Sequence, residues 1–400
     1  MLEKRIDRLL KGNYRFLLAP LLLMLLKILG SIIIYRTTGL PAGKSFWMNP
    51  DKMPGVIQNE ILLENANRTN NFLYTFVGWD TAWYLSIAFR GYDFHDPSFA
   101  FRPLLPYISR GMNYLFSNQV LSIVAVALVS GVLWVPIFQR ISEMYMSRFS
   151  SMVATLIFAV SPFTFLFTTV AYSEGIFLLF TLGALFYFKR GNCYIAAALS
   201  FLSALTRPPG FLIALPMLLE GLRDIDSLKL RKIFTSFSPI LASGLWSFYG
   251  LLSVGRFNPW IYVTEWDSVY TFLTYLMRIV PSYGLRALSF PHENITTINI
   301  LPIFIWFSLF APLYPIYKLF ELDKPLFFYS VFYFLGVFLF GAVFSYPRFF
   351  TFLFPIWLTI DFEKIAHRRN IPVLIFFYII ASFLISLYLW WGFVTGLFVS

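Results

Sequence analysis

The sequence predicts an all-α polytopic membrane protein, and three observations predict it. Of 400 residues, 58% are hydrophobic and 13% charged, against about 45–50% and about 25% in an average soluble domain. Apolar runs, many near the ~20 residues a helix needs to cross a hydrocarbon layer, recur from one end of the chain to the other. The 31 Lys and Arg, which set a formal net charge of +11, sit in short clusters between those runs, where they fix orientation. A single water-soluble globule is excluded. Nucleic-acid binding is not expected either, because the basic residues belong to the membrane boundaries.

Lys4, Arg5, Arg8, Lys11 and Arg15 precede the first run, residues 16–36. It is too long for the core of a signal peptide and lacks a small-residue cleavage site, so it is expected to remain as the first span. Further runs fall at about 118–138, 149–171, 174–188, 192–206, 209–221, 233–253, 298–317, 325–345, 349–361 and 371–392. That makes about eleven transmembrane helices, several of them short. With the N-terminus in the cytoplasm, more than half of the 31 Lys and Arg fall on inner segments although the outer loops are much longer. Asp and Glu divide evenly, so the asymmetry is that of the basic residues, as the positive-inside rule requires. The sequons Asn67-Arg68-Thr69 and Asn294-Ile295-Thr296 fall outside under this assignment. The lone Cys193 excludes an internal disulfide and a multi-cysteine metal site, and suits packing. The organisation is one transmembrane domain over 1–400 with two outer segments, 37–117 and 254–297.

The first outer segment is too long for a passive connection and is expected to fold as a cap. Within it Trp79, Trp83 and Ile87 recur at i, i+4 and i+8, with Tyr84 and Ala88 in the adjacent stripe. That pattern predicts an amphipathic helix lying in the membrane interface, stopped by Gly91. After the turn from Asp93 to Pro97 comes a second aromatic segment, Phe99 to Phe116, interrupted by Pro103 and Pro106. Together they predict a helical hairpin resting on the outer leaflet.

No GxGxxG opening a helix, GxxxxGKS/T, HExxH or GxSxG is present. His95, His292 and His367 are scattered, so a polyhistidine metal site is not expected. Carboxylates must carry any acid-base work. Of those in the first outer segment, Asp80, Asp93 and Asp96 alone are set in aromatic and apolar sequence. Asp80, between Trp79 and Thr81 at a helix start, is the candidate to take a proton from a hydroxyl in a partly dry site. The same position also suits a helix cap. Asp93, His95 and Asp96 extend such a site or bind a cation, or are ordinary turn residues. Trp79, Tyr84, Tyr92 and Tyr172 are the aromatic candidates for substrate contact.

Ions at the ends of apolar runs are costly and therefore informative. Glu174 lies in Ala171-Tyr172-Ser173-Glu174-Gly175, Arg207 in Thr206-Arg207-Pro208-Pro209-Gly210, and Arg348 in Ser345-Tyr346-Pro347-Arg348, all at outer ends. Arg102, between Phe101 and Pro103, belongs to the cap. Converging on one face, the three arginines would clamp a phosphate while apolar helices receive a lipid tail. Singly, each would snorkel to headgroups. The pairs Glu265 with Asp267 and His292 with Glu293 suit an acceptor site or a solvated loop.

The stretch Trp79-Asp80-Thr81-Ala82-Trp83-Tyr84-Leu85-Ser86-Ile87-Ala88-Phe89-Arg90-Gly91-Tyr92, with Ala100-Phe101-Arg102-Pro103-Leu104-Leu105-Pro106 after it, resembles the signature of the second mannosyltransferase of GPI-anchor synthesis, the class V family. That pattern runs approximately WDxxxFxxIAxxGY, a short acidic turn, then AFFPLLP. Tyr172-Ser173-Glu174 and Thr206-Arg207-Pro208-Pro209-Gly210 resemble the family's YSE and its Arg-bearing segment. The resemblance implies a type C (GT-C) glycosyltransferase. It would use a dolichyl- or polyprenyl-phosphate sugar, typically mannose, on a glycolipid or glycan acceptor at the extracytoplasmic face. The membrane would be that of the endoplasmic reticulum in a eukaryote and the cell membrane in a prokaryote. It implies Asp80 as the catalytic carboxylate and Glu174 as the YSE glutamate. The arginines would hold the departing phosphate. Inversion is expected, with neither cofactor nor metal required, since a single lipid phosphate has no diphosphate to neutralise. Two positions depart from the family: Arg102 replaces an aromatic residue, and Pro208-Pro209 replaces a polar pair. A transporter or lipid flippase, or a non-catalytic subunit of a glycosylation complex, is the competing class. Against transport, no repeat symmetry is visible and charge concentrates at the outer edge instead of the midplane.

Overall fold

In lipid every backbone group must be satisfied within the protein, which drives apolar sequence into helices. The computed structural model describes residues 15–38, 71–92, 97–223, 229–255, 301–340, 345–360, 362 and 371–395, and every regular element among them is helical. In chain order they are α1 (Arg15–Thr38), α2 (Asp80–Arg90), α3 (Leu104–Phe116), α4 (Gln119–Ser142), α5 (Arg148–Val160), α6 (Pro162–Phe167), α7 (Glu174–Lys189), α8 (Cys193–Ala204) and α9 (Ala214–Arg223). There follow α10 (Lys229–Val254), α11 (Leu301–Phe310), α12 (Leu313–Leu322), α13 (Lys324–Phe340), α14 (Tyr346–Phe349) and α15 (Ile371–Thr395). Short 3-10 turns at Asn71–Phe76, Pro97–Ala100, Pro208–Ile213, Phe350–Phe352 and Phe354–Thr359 join them.

Among the described residues four helices are long and apolar enough to cross a membrane: Arg15–Thr38, Gln119–Ser142, Ile303–Leu322 and Val373–Thr395. Arg148–Val160, Cys193–Ala204 and Lys324–Phe338 are shorter apolar helices. α1 is apolar on both sides, as a span must be. Leu17, Leu21, Leu25, Ile28 and Ile32 form its exposed stripe, while Ala19, Leu23 and Ile34 pack inward.

The structure corrects several sequence expectations. Among the described residues the expected count of about eleven transmembrane helices is not matched by helices of spanning length, because several of the apolar runs fold as shorter or broken pieces. Run 149–171 splits at Ser161-Pro162 and loses helical form after Phe167. Run 349–361 is no span: it folds as 3-10 turns, with Pro355 inside the second, where its missing N–H and fixed φ oppose a continuous α-helix. The cap hairpin forms as α2 and α3, with Gly91 closing α2 at φ 86° and donating its N–H to Ile87 O. α2 presents no free apolar face, however. Of its residues only Arg90 is exposed, because the side opposite the Leu85 and Ala88 face is also covered by protein. The amphipathic surface belongs to α3, which buries Leu105 and Ser109 and exposes Tyr107, Tyr114 and Leu115.

α4 packs along α7, and two glycines set how close they come. A Cβ on Gly175 would stand 2.7 Å from Gly131 N. One on Gly131 would stand 1.9 Å from Thr168 O. That contact seats the non-helical segment 168–173, which joins α6 to α7 and is buried throughout. Its backbone groups find partners in three other elements: Ala171 N–H donates to Phe76 O (2.8 Å), Thr81 Oγ1 to Ala171 O (3.2 Å), and Lys27 Nζ to Thr168 O (2.5 Å). Irregular backbone at this depth persists only when it is satisfied in this way.

Candidate active site

The break between α6 and α7 delivers Tyr172, Ser173 and Glu174 to one point, and the start of α2 delivers Asp80 to the same point. Trp79, just before Asp80, takes φ 47° and ψ −114°. A bulky residue rarely occupies that region, and doing so costs about 1–3 kcal/mol. The turn leads into α2, whose first N–H, that of Asp80, donates to Tyr172 Oη (3.1 Å). The Asp80 carboxylate is turned to Arg348, with Oδ2 2.8 Å from Nη1.

Arg348 also donates through Nε to Glu174 Oε1 (2.5 Å), and Arg207 Nη1 donates to the same oxygen (2.6 Å). Arg207 Nη1 reaches Ser173 Oγ (3.1 Å), which pairs with Tyr84 Oη (2.9 Å). Aromatic rings wall the cations: Arg348 lies over Tyr172 (4.5 Å) and Phe167 (5.0 Å), and Arg207 over Phe352 (4.9 Å). The result is two cations and two carboxylates in one buried network, in which burial is offset by pairing. Side-chain exposure is graded across it, from 0% at Glu174 through 7% at Arg348 and 10% at Arg207 to 24% at Asp80. Burial, reinforced by Asp80 and Glu174 and opposed by Arg207 and Arg348, pushes the Tyr84 hydroxyl well above its ordinary pKa. It therefore stays protonated and serves as a hydrogen-bonding group.

Of the residues singled out from sequence, Asp80, Trp79, Tyr84, Tyr172, Glu174, Arg207 and Arg348 meet here. The three arginines do not form one open clamp. Arg207 and Arg348 converge, but on Glu174, and Arg102 takes no part in the network's ion pairs. Asp80 is no mere cap, since its carboxylate faces a guanidinium. Tyr92 lies beside the network in an aromatic cluster with Phe99 (4.9 Å) and Trp246 (5.0 Å), its hydroxyl donating to Phe101 O (3.0 Å). Asp93, His95 and Asp96 lie outside the described residues, as do Glu265, Asp267, His292, Glu293 and both sequons. Among the described residues no three His, Cys, Asp or Glu side chains gather as metal ligands would.

Sequence reasoning passed over Ser173, which links Tyr84 to Arg207, and Lys27. The Lys27 ammonium is buried inside α1 and donates to Gly131 O (3.0 Å), Thr168 O and Thr168 Oγ1 (3.1 Å). Its position within an apolar run was the available clue, because such a cation marks something it must satisfy.

No curated protein matches the chain. Among solved structures, the apo oligosaccharyltransferase of Archaeoglobus fulgidus aligns with a TM-score of 0.49 and 12% identity, over 97% of this chain and 57% of that one. The chain thus spans under two thirds of that protein's length. The family model described as Mannosyltransferase (PIG-V) matches residues 13–223, a stretch running from α1 to α9 that holds Asp80, Arg102, Glu174 and Arg207 and leaves Arg348 outside. That stretch exceeds half of the 400 residues, and the chain therefore belongs to the PIG-V mannosyltransferase family.

Proposed function

We propose that this protein moves a mannose from a dolichyl- or polyprenyl-phosphate donor to a hydroxyl of a glycolipid or glycan on the extracytoplasmic face, with Asp80 as general base. The observation that carries it is the graded network. Glu174 is fully enclosed, two arginines are fixed on it, and Asp80 is the end that remains open enough to meet a substrate. Arg348 fixes one oxygen of Asp80 and so orients the carboxylate. Arg207 and Arg348 also supply positive potential where the departing phosphate gains charge. Membership of a mannosyltransferase family weighs against the transporter and scaffold alternatives.

In the reaction the acceptor O–H proton passes to Asp80 as the oxygen bonds to the anomeric carbon. The bond from that carbon to the phosphate oxygen breaks, its electron pair leaving with the polyprenyl phosphate. Attack opposite the leaving group inverts the centre. Nothing in this sequence needs a diphosphate-binding metal.

Purified Asp80→Asn should keep the fold and lose transfer by roughly 10²–10⁴-fold, the usual contribution of a positioned base. Release of radiolabelled mannose from polyprenyl-phosphate mannose to extracted membrane lipids measures it. Full activity in the variant removes Asp80 from the mechanism, and no transfer by the unmodified protein from any lipid-phosphate sugar removes the donor class.

A further inference from the structure

Arg102 stands outside the network, yet it is only 5% exposed, and neither its Nε nor its Nη1 has a hydrogen-bond partner. None of the ion pairs among the described residues includes it. Burial lowers its pKa to about 10, which still leaves it a cation at neutral pH. An uncompensated buried charge is expensive, and a fold keeps one only when something else fixes it there.

The neighbours do fix it. Leu104 N–H donates to Leu205 O (3.1 Å), tying the strand of chain around Arg102 to the segment that carries Arg207. Phe101 stacks on Trp83 (5.7 Å, 17°) and meets Tyr84 edge-on (5.3 Å), while its carbonyl accepts from Tyr92. Tyr84 is itself a member of the charged network, so Phe101, the residue before Arg102, packs directly on that network. Among the described residues, Nε of Arg207 and Nε1 of Trp246, whose ring stacks on Phe99 (6.1 Å), are further buried N–H groups with no partner. Arginine and indole nitrogens donate and cannot accept. Buried donors without an acceptor are complementary to an oxyanion, and the flat guanidinium fork suits phosphate in particular.

We propose that Arg102 is the phosphate-binding residue of the donor site: its Nε and Nη1 take the phosphate oxygens of the polyprenyl-linked sugar. Arg207 and Arg348 stay on Glu174 and Asp80. The assignment rests on the transferase reading for the identity of the ligand. It divides labour between the arginines: Arg102 binds the phosphate, Arg348 positions the base, and Arg348 and Arg207 add positive potential from their places on Glu174.

The test uses the purified full chain in detergent, as wild type, Arg102→Met and Arg102→Lys, with polyprenyl phosphate, polyprenol and inorganic phosphate as probes. Polyprenyl phosphate should raise the thermal midpoint of the wild type, polyprenol and inorganic phosphate should not, and Arg102→Met should lose the shift while Arg102→Lys keeps part of it. Without ligand, Arg102→Met should melt at or above the wild-type midpoint, since it removes an unpaired buried charge. Donor KM in Arg102→Met should rise roughly tenfold or more, the worth of one charge-assisted hydrogen bond, with kcat changed far less. A marked loss of ligand-free stability in Arg102→Met would mean a structural partner and overturn the proposal. So would an unchanged donor KM in an enzyme that still transfers mannose, or an equal shift with inorganic phosphate. A wild type that neither responds to polyprenyl phosphate nor transfers from it would sink the donor reading itself, a distinct outcome.

Discussion

Glu174 shows no exposed surface, and one of its oxygens serves two guanidinium groups while Oε2 has no partner among the described residues. Deleting it would leave Arg207 without a counter-charge and Arg348 with Asp80 alone, and removing one side of such a buried pair costs about 3–5 kcal/mol. Glu174→Ala should therefore lower stability by that order and abolish transfer. Glu174→Gln, which keeps an acceptor oxygen, should lose less stability but still release Arg348 to pair with Asp80 alone. Thermal unfolding beside the mannose-transfer assay separates the two, and a Glu174→Ala protein as stable as the wild type would deny the carboxylate its anchoring role. The members of this network were legible in the sequence because ions in apolar surroundings stand out. Their partners were not. Arg207 and Glu174 are 33 positions apart, and Arg348 and Glu174 are 174 apart. Nothing local distinguishes an arginine waiting for phosphate from one already paired; only the packing of α7 against its neighbours decides it.

At the scale of elements, the decisive feature is the break from Thr168 to Ser173. Hydropathy marks only its end, between the runs 149–171 and 174–188, because Val170 and Ala171 prolong the apolar run that precedes them. It exists because Lys27, Phe76 and Thr81 take the backbone groups that a helix would have satisfied. The prolines at 162, 347 and 355 were the readable part of the same irregularity, since each either begins a helix or opposes one. Gly131 holds the break against α4 by having no side chain. Gly131→Ala, whose Cβ would meet Thr168 O at 1.9 Å, should destabilise by roughly 1–3 kcal/mol or more through overpacking. It should also reduce transfer although a Cβ there would touch none of Asp80, Glu174, Arg207 and Arg348, its near neighbours being Thr168 O and Lys27 Nζ. Gly244→Ala in α10, with nothing within 4 Å of its Cβ, is the matched control and should be neutral or gain up to about 1 kcal/mol of helix propensity. Equal effects of the two substitutions on unfolding and activity would show that the close approach of α4 does not seat the site.

Across the whole molecule, α7 separates two polar ends by its 16 residues, roughly 24 Å at 1.5 Å per residue. Glu174 and the charged network lie at one end. At the other, Lys189 pairs with Glu220 (2.9 Å) and Asp323 (3.1 Å), and Tyr145 donates to Asp323 (2.6 Å). A cavity of about 320 Å³ beside that end is lined by Arg190, Asn192, Tyr194 and Arg231. Arg190 and Arg231, away from Asp80, have no ion pair among the described residues, and basic residues gathered at such an end are what the positive-inside rule expects of a cytoplasmic surface. Composition and hydropathy revealed the all-helical membrane class, but short helices ending inside the protein hid the number of crossings. Sidedness is open to a direct measurement. The buried Cys193 is replaced by Ser, and single cysteines are placed at Gly111 on α3, where a Cβ meets nothing within 4 Å, and at Tyr194, which is 78% exposed. In sealed cells or vesicles of known orientation, a membrane-impermeant maleimide should label Gly111→Cys from the extracytoplasmic side, and Tyr194→Cys only after the membrane is opened. The reverse pattern would place Asp80 on the cytoplasmic side, and acceptors presented outside could not then reach it.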